Sequence, residues 1–146
     1  MEQPAIPPGG IDVRIELESR QDDGEAARSA LAGRLYARDG ALFLRYAEEG
    51  GRTRALLRWD GRTLRLVRTG EVESAQTFDP GAVTGGHYRT PLGRFDLRTR
   101  THRLKIRADG PGLPMTWSWA YRLEAGGVDA GEFVINLVIR EATHDE

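Results

Sequence analysis

Apolar and charged residues alternate with a period of two through most of the chain between residues 11 and 140. In the run IDVRIELE, residues 11–18, the odd positions are Ile, Val or Leu and the even positions are charged. The runs at residues 95–100 and 103–108 show the same alternation. Because successive side chains of a β-strand point to opposite faces, each run predicts a strand with one face in the interior and one in water.

Turn sequences separate these runs and predict hairpins. Asp39-Gly40 and Asp60-Gly61 are dipeptides typical of two-residue type I′ turns. Gly50-Gly51 predicts a further reversal, and Thr90-Pro91-Leu92-Gly93 has Pro and Gly at the positions that a type I turn favours. Gly126-Gly127 separates the last pair of predicted strands.

The Ala-rich stretch Glu25–Leu31 is ambiguous between helix and strand. Propensity alone would make it helical, but it is shorter than an isolated helix needs to be stable. It also leads directly into the strand-like residues 35–37. We therefore predict a strand here, which brings the total to about ten strands joined by short connections.

The predicted fold class is all-β, a single antiparallel meander barrel of about 8–10 strands, with a two-sheet sandwich as the alternative. A barrel of this size encloses room for side chains or one small ligand, so any function is expected in the interior or at its mouth. Residues 11–142 form the barrel domain. Residues 1–10, which contain three prolines and a Gly-Gly pair, are expected to be a mobile lead-in, and residues 143–146 a frayed tail.

Composition says more about the cellular location and partners expected of the protein than about its function. The chain has 146 residues, enough for one core, and no cysteine. It shows neither a leader-like start nor an apolar run near the roughly 20 residues of a membrane helix, so we expect a cytoplasmic protein with no membrane partner. The net charge is −1 and the basic residues are scattered over many predicted strands, which weighs against nucleic acid as a partner.

Arg68 is the most unusual residue of the predicted interior. It shares the parity of Leu64 and Leu66, whose side chains are expected to point inward. A buried guanidinium is costly unless it is paired. Two interpretations follow: Arg68 lies at the strand end and pairs with a rim acid such as Glu71 or Glu73, or it recognises an anionic ligand.

A cluster of aromatic residues is predicted to share this interior. Trp117, Trp119 and Tyr121 lie on one face of a predicted strand. Such a stripe forms either simple core or the wall of a pocket, where the polar tips of Trp and Tyr bind a ligand. Tyr88 is expected on the same inner face, beside Gly85-Gly86, where missing side chains indicate a bulge or the close approach of another strand.

No catalytic, metal or cofactor motif emerges from the sequence. His87, His102 and His144 are the only histidines, and none of them has the spacing of a metal-ligand pair. No carboxylate is placed by parity on an apolar face, where burial would raise its pKa for acid–base catalysis. No nucleophile or phosphate-loop motif is present. We therefore expect a protein that is not an enzyme and uses no cofactor.

The central segment resembles a known family. The residues that carry the resemblance are Leu66–Gly70, Phe78, Gly81, Tyr88–Gly93 and Leu97–Thr99, with further matches at Gly33, Tyr36, Leu44, Tyr46, Tyr121 and Asn136. Their order and spacing resemble the YwiB-like family, small bacterial proteins of unknown function with a calycin-type, lipocalin-like β-barrel. The likeness covers residues 11–142.

The resemblance implies a meander barrel of eight to ten strands and favours a strand over a helix at residues 25–31. It supplies no activity and no catalytic residues. Parity and matching position together make a set of candidate ligand-binding residues. These are Arg68, Tyr88, Thr90, Tyr121 and Asn136, with Trp117 and Trp119 as apolar walls.

Three functional hypotheses remain open from the sequence. The first is a barrel that binds a small apolar or anionic molecule in its interior. The second is a non-enzymatic protein–protein interaction module with a packed lumen, which could form a homodimer along a strand edge. The third is an RNA-associated protein that uses outward basic residues, although a solvated sheet face is the better account of them, because outward strand positions must be polar. Those residues are Arg98, Arg100, Arg103, Lys105 and Arg107.

Overall fold

The computed structural model describes residues 6–7, 9–48, 50–110 and 112–142, and every regular element within them is a β-strand. The ten strands are β1 (Ile11–Gln21), β2 (Ala27–Arg38), β3 (Ala41–Ala47), β4 (Thr53–Trp59), β5 (Leu64–Gly70), β6 (Glu73–Phe78), β7 (Val83–Thr90), β8 (Gly93–Ala108), β9 (Met115–Ala125) and β10 (Val128–Glu141). None of the described residues forms a helix long and apolar enough to cross a membrane.

The sheet closes on itself. Each strand pairs antiparallel with the next along the chain, and β1 pairs with β10, so the ten strands form a closed meander barrel. The predicted antiparallel barrel is confirmed. The ambiguous Ala-rich segment is also a strand from Ala27 onward, because it pairs with β1 in a continuous register from Ser19↔Ala27 to Ile11↔Leu35.

The predicted hairpin turns are correct in position, and one is wrong in type. Asp39 and Gly40 both have positive φ, 51° and 79°, as a type I′ turn requires. The turn at Asp60-Gly61 instead spans residues 60–63, with Trp59 paired to Leu64. The Asp60 carboxylate accepts the N–H groups of Arg62 and Thr63 at 2.9 and 2.8 Å, and these bonds favour the longer turn and hold the pKa of Asp60 below its usual value.

A β-bulge joins two predicted runs into one long strand, β8. Thr101 pairs with Tyr121 and Arg103 pairs with Ala120, so His102 is an extra residue. The inserted residue moves the inward face from odd to even positions. Leu97 before the bulge and Leu104 after it therefore both point inward.

The core fills one end of the barrel. Its fully buried side chains include Val13, Ile15, Leu35, Leu44, Leu57, Leu64, Met115, Trp117, Leu137 and Ile139. Ile6 and Leu113 pack against this end, and the Gly10 N–H donates to the Pro7 carbonyl at 2.8 Å. Within the predicted lead-in, Ile6 thus lies against the barrel, whereas residues 1–5 and 8 and the tail 143–146 lie outside the described residues, so the mobility predicted for both ends stays a prediction.

Gly86 is expected to be intolerant of a side chain, as the close approach predicted for this segment implies. A Cβ atom at Gly86 would overlap the carbonyl oxygen of Ala75 on β6, whereas a Cβ at Gly85 would have no atom within 4 Å. Because the obstacle is backbone, we expect Gly86→Ala to lower the free energy of unfolding by about 2 kcal/mol or more. Urea unfolding measures the change, with Gly85→Ala, expected within about 1 kcal/mol of wild type, as the control. Equal effects would contradict the packing described here.

Candidate functional site: a cavity at one end of the barrel

The end of the interior opposite the aliphatic core holds a cavity of about 440 Å³. Strands β1, β2, β9 and β10 form one side of it, and β3, β5 and β6 supply the other. Its lining residues are Leu17, Ser19, Ser29, Leu31, Tyr46, Glu48, Leu66, Arg68, Phe78, Trp119, Tyr121, Phe133 and Ile135. The wall is thus apolar and aromatic, with a few polar groups among its side chains.

An ion pair lies at the mouth of this cavity. Arg68 Nε donates to Glu48 Oε2 at 2.7 Å, and the two side chains are 28% and 31% exposed. The predicted pairing of Arg68 with Glu71 or Glu73 is wrong. Glu71 lies 3.7 Å from Arg52, and Glu73 pairs with Arg89 on the outer face of the barrel.

A small side chain lets Arg68 reach across a strand to Glu48. Tyr46, Ala55 and Arg68 are cross-strand neighbours on β3, β4 and β5. Because Ala55 presents only a methyl group, the guanidinium passes over it to the chain that follows β3. Glu48 continues the inward parity of Leu44 and Tyr46, so the expectation that no carboxylate shares an apolar face is wrong, and this alternation is the signal that identifies it.

Two buried tyrosines flank the arginine. Tyr46 and Tyr121 are 6% and 8% exposed. Burial raises the pKa of each to about 12, and the charge of Arg68 offsets only part of that effect. Burial would by itself lower the pKa of Arg68, but the charge and hydrogen bond of Glu48 more than compensate, so its pKa is raised. At neutral pH the cavity therefore presents two neutral tyrosine hydroxyl groups together with the Arg68–Glu48 ion pair.

Trp119 carries an unpaired donor in the cavity wall. The residue is 3% exposed, and its Nε1 has no hydrogen-bond partner among the described residues. Ser74 Oγ, Thr101 Oγ1 and Trp117 Nε1 are also buried without a partner among the described residues. Ser74 and Thr101 are the cross-strand neighbours of Arg68 and Tyr121 on the inner face, whereas Trp117 lies in the packed core. Buried polar atoms are normally hydrogen-bonded, and of these four Trp119 Nε1 belongs to a residue that lines the cavity, where a ligand can accept its N–H.

Aromatic contacts hold the wall in place. The ring centroid of Phe78 lies 5.5 Å from that of Trp119 and 4.8 Å from that of Tyr121. Tyr121 also stacks on Phe133 with centroids 5.2 Å apart. These contacts restrain the rotamers of Trp119 and Tyr121, so the polar tips of both residues have defined positions.

The candidate residues chosen from the sequence divide into two groups. Arg68, Trp119 and Tyr121 come together in the cavity. Trp117 is fully buried in the core, and it does not line the cavity.

The remaining three candidates lie elsewhere. Tyr88 points inward on β7, where it pairs with Ser74, but it does not line the cavity. The Thr90 hydroxyl accepts the N–H of Leu92 within a turn. Asn136 lies on the outer face and lines a separate surface groove. The alternation around residues 133–139 places Asn136 outside, so parity, one of the two grounds on which it was chosen, does not support it as a cavity residue.

Comparison with known proteins gives a consistent family and fold. A family model described as a domain of unknown function, DUF1934, matches residues 11–137. The chain is 28% identical over 123 residues to the uncharacterized beta-barrel protein YwiB of Bacillus subtilis (strain 168), covering 82% of this chain and 84% of that protein. The crystal structure of the YwiB protein from Bacillus subtilis superposes with a TM-score of 0.79 at 21% identity, covering 92% of this chain and 94% of that one.

The raised pKa values of the cavity tyrosines predict a loss of stability at high pH. Each pKa is 10.0 in the reference state and about 12 in the fold. The native state therefore retains protons that the unfolded state releases, and the free energy of unfolding falls as pH rises from 10 to 12. We expect a loss on the order of 1 kcal/mol per tyrosine between pH 9 and pH 11, measured by urea unfolding.

The double variant Tyr46→Phe/Tyr121→Phe should lose less stability over this interval. Tyr36→Phe, on the outer face, serves as the matched control and should behave like wild type. An undiminished loss in the double variant would show that other groups account for the pH dependence.

Proposed function

This chain belongs to the DUF1934 family, whose function is unknown, and from the geometry of the cavity we propose that it is a non-enzymatic barrel that binds a small molecule in its interior. The observation that carries the proposal is a cavity of about 440 Å³ in which the polar groups of Arg68, Trp119, Tyr46 and Tyr121 accompany an apolar wall. Cavities that bind small ligands typically span about 300–1,000 Å³ and combine an apolar lining with a few polar groups.

The polar groups of the cavity favour a ligand that accepts hydrogen bonds. Arg68 donates only its Nε–H to Glu48, and its two terminal nitrogens have no partner among the described residues. The Trp119 N–H is unpaired as well. Tyr46 and Tyr121 stay protonated at neutral pH because the pKa of each is about 12. A carboxylate best matches such a set of donors.

The apolar wall favours a flat hydrophobic body for the rest of the ligand. Phe78, Trp119, Tyr121 and Phe133 form a contiguous aromatic surface on one side of the cavity. Aromatic pairs prefer stacked or tilted arrangements, which an aromatic ligand can extend. We therefore propose an aromatic or otherwise apolar carboxylic acid as the ligand class.

Binding accounts for the cavity better than catalysis or a packed interaction module does. A general base must accept a proton near the working pH, and the tyrosines do not, since their pKa is about 12. An interaction module with a packed lumen would not need a cavity of about 440 Å³. These points support a binding protein and leave its natural ligand to experiment.

The first test is titration with 2-naphthoate, an aromatic carboxylate that fits the cavity, and binding is measured by isothermal titration calorimetry. We expect 2-naphthoate to bind wild type about tenfold or more tightly than its neutral analogue 2-naphthalenemethanol, because only the carboxylate can form an ion pair with Arg68. Arg68→Leu should abolish that preference. Arg65→Leu, the same change on the outer face of the same strand, should leave it intact.

The Arg68→Leu variant has two effects that must be distinguished: it removes the partner of Glu48, and it removes the group proposed to recognise the ligand. Arg68→Leu leaves a half-buried carboxylate unpaired, which is itself destabilising. The double variant Glu48→Gln/Arg68→Leu removes both charges, and we expect it to fold, as judged by circular dichroism, and still to lose the preference for the carboxylate. If it binds 2-naphthoate like wild type, the role proposed for Arg68 is wrong. If both variants unfold, Arg68 is structural.

Native mass spectrometry of protein purified from its own host tests for a natural ligand. We expect a small-molecule adduct at one per chain that is released on denaturation and is absent from Arg68→Leu. An adduct retained in full by that variant would place the ligand outside the proposed site.

A further inference from the structure

We propose that the outer wall of β8 binds single-stranded nucleic acid through its sugar–phosphate backbone. Five basic side chains on this strand form a row, hereafter the basic row. They are Arg98, Arg100, Arg103, Lys105 and Arg107, and all five are exposed. From the sequence alone an ordinary solvated face accounts for these residues, but three structural features favour a polyanion instead.

The bulge at His102 keeps the basic row continuous. In a regular strand, Arg98 and Arg100 would share a face with His102, and Arg103 would point inward. The extra residue reverses the parity, so Arg103 and Lys105 follow Arg100 on the outer face. Successive outward positions lie about 6.6 Å apart within a strand, a separation similar to that of neighbouring phosphates along an extended single strand.

The charge of the basic row is not neutralised by the protein. None of its five residues has a carboxylate within 4.0 Å among the described residues, although Asp96 and Asp109 flank its two ends and Glu124 is the cross-strand partner of Arg98. Arg122, opposite Arg100, is in contrast engaged by two carboxylates. The outward face of a strand in water requires polar residues, but it does not require that all of its charges have the same sign.

The outer face of strand β1 provides a comparison, because it is exposed to water in the same barrel. Its outward residues mix both signs: Asp12, Arg14, Glu16, Glu18 and Arg20. Like charges close together on one face of a sheet repel one another. The basic row holds a single sign of charge between Asp96 and Asp109, and a bound polyanion would offset that repulsion.

The neighbours of the basic row leave it accessible. Thr116, Ser118 and Ala120 on β9 lie opposite Arg107, Lys105 and Arg103 and are short and uncharged. On the other side, the connection between β6 and β7 leaves a groove of about 350 Å³ beside the row. The groove is lined by Pro80, Gly81, Ala82, Val83, Arg100, Thr101 and His102. It offers room for a sugar or base next to a phosphate held by Arg100.

The chemistry of the row favours a single nucleic acid strand and backbone contacts. The row is one residue wide, so it follows one phosphodiester chain. Its outward residues include no Phe, Tyr or Trp on which bases could stack. Recognition is therefore electrostatic, with little preference for sequence and a strong dependence on salt.

Fluorescence anisotropy with a labelled 15-nucleotide oligouridylate tests this proposal on the full chain. Five neutralised phosphates predict a slope of log affinity against log salt near −3.5, so the Kd should rise about 100-fold between 50 and 200 mM KCl. The variant Arg103→Gln/Lys105→Gln/Arg107→Gln should reduce the magnitude of the slope by about 2 and weaken binding at 50 mM by about tenfold or more.

The control removes the same charge elsewhere on the barrel. Arg45→Gln/Arg54→Gln/Arg62→Gln changes three exposed arginines on and next to β3 and β4, and it should bind the oligonucleotide within about threefold of wild type. Equal weakening by both triple variants would overturn the proposal, since net charge alone would then explain binding. Absence of binding by wild type at 50 mM would also overturn it.

Two further measurements distinguish the basic row from the cavity and from a membrane-binding face. Arg68→Leu should bind the oligonucleotide like wild type, so failure of the cavity proposal leaves this one standing. Sedimentation with phosphatidylserine vesicles should show weaker association than with the oligonucleotide. Vesicle binding that is stronger, and equally lost in the basic-row variant, would assign the surface to a membrane instead of a nucleic acid.

Discussion

Pairing between β1 and β10 is the constraint on which the rest of this structure depends. It closes the sheet, so every strand has a hydrogen-bonded neighbour on each side. It also gives the alternating residues of all ten strands a common interior. Mainly aliphatic side chains fill one end of that interior, and at the other end large aromatic rings and polar groups enclose a cavity.

The mouth of the cavity shows how a charge is accommodated inside such a barrel. Arg68 and Glu48 are each only partly removed from water, which limits the desolvation cost of the pair. Their contact depends on Ala55, because a larger residue between them would block the guanidinium. The Glu48 carboxylate accepts the Nε–H of Arg68 and leaves its terminal nitrogens without a partner among the residues that the structure describes. The buried tyrosines beside it remain neutral over a wide pH range, so the polar character of the site does not change near neutrality.

A single inserted residue links the interior to the outer wall. The bulge at His102 directs Leu104 and Ile106 toward the core and, by the same change of parity, directs Arg103 and Lys105 to solvent. Core packing and the charge of the outer surface are therefore set together. One sheet separates two environments: an interior with few charged residues, and an outer wall on which the basic row has no ion-pair partner among the described residues. The two proposals for this protein use these environments independently.

The sequence by itself determined the strand pattern, the hairpin at Asp39-Gly40 and the inward positions of Arg68, Trp119 and Tyr121, because each follows from local backbone geometry and a two-residue period. It did not determine the partner of Arg68, the longer turn after Trp59, or the boundary between packed core and cavity. These depend on which strands are neighbours, on their register and on the size of the side chains between them. Glu48 is twenty residues from Arg68 in the chain, and the pairing of β3, β4 and β5, with Ala55 between the two side chains, brings the two charges together.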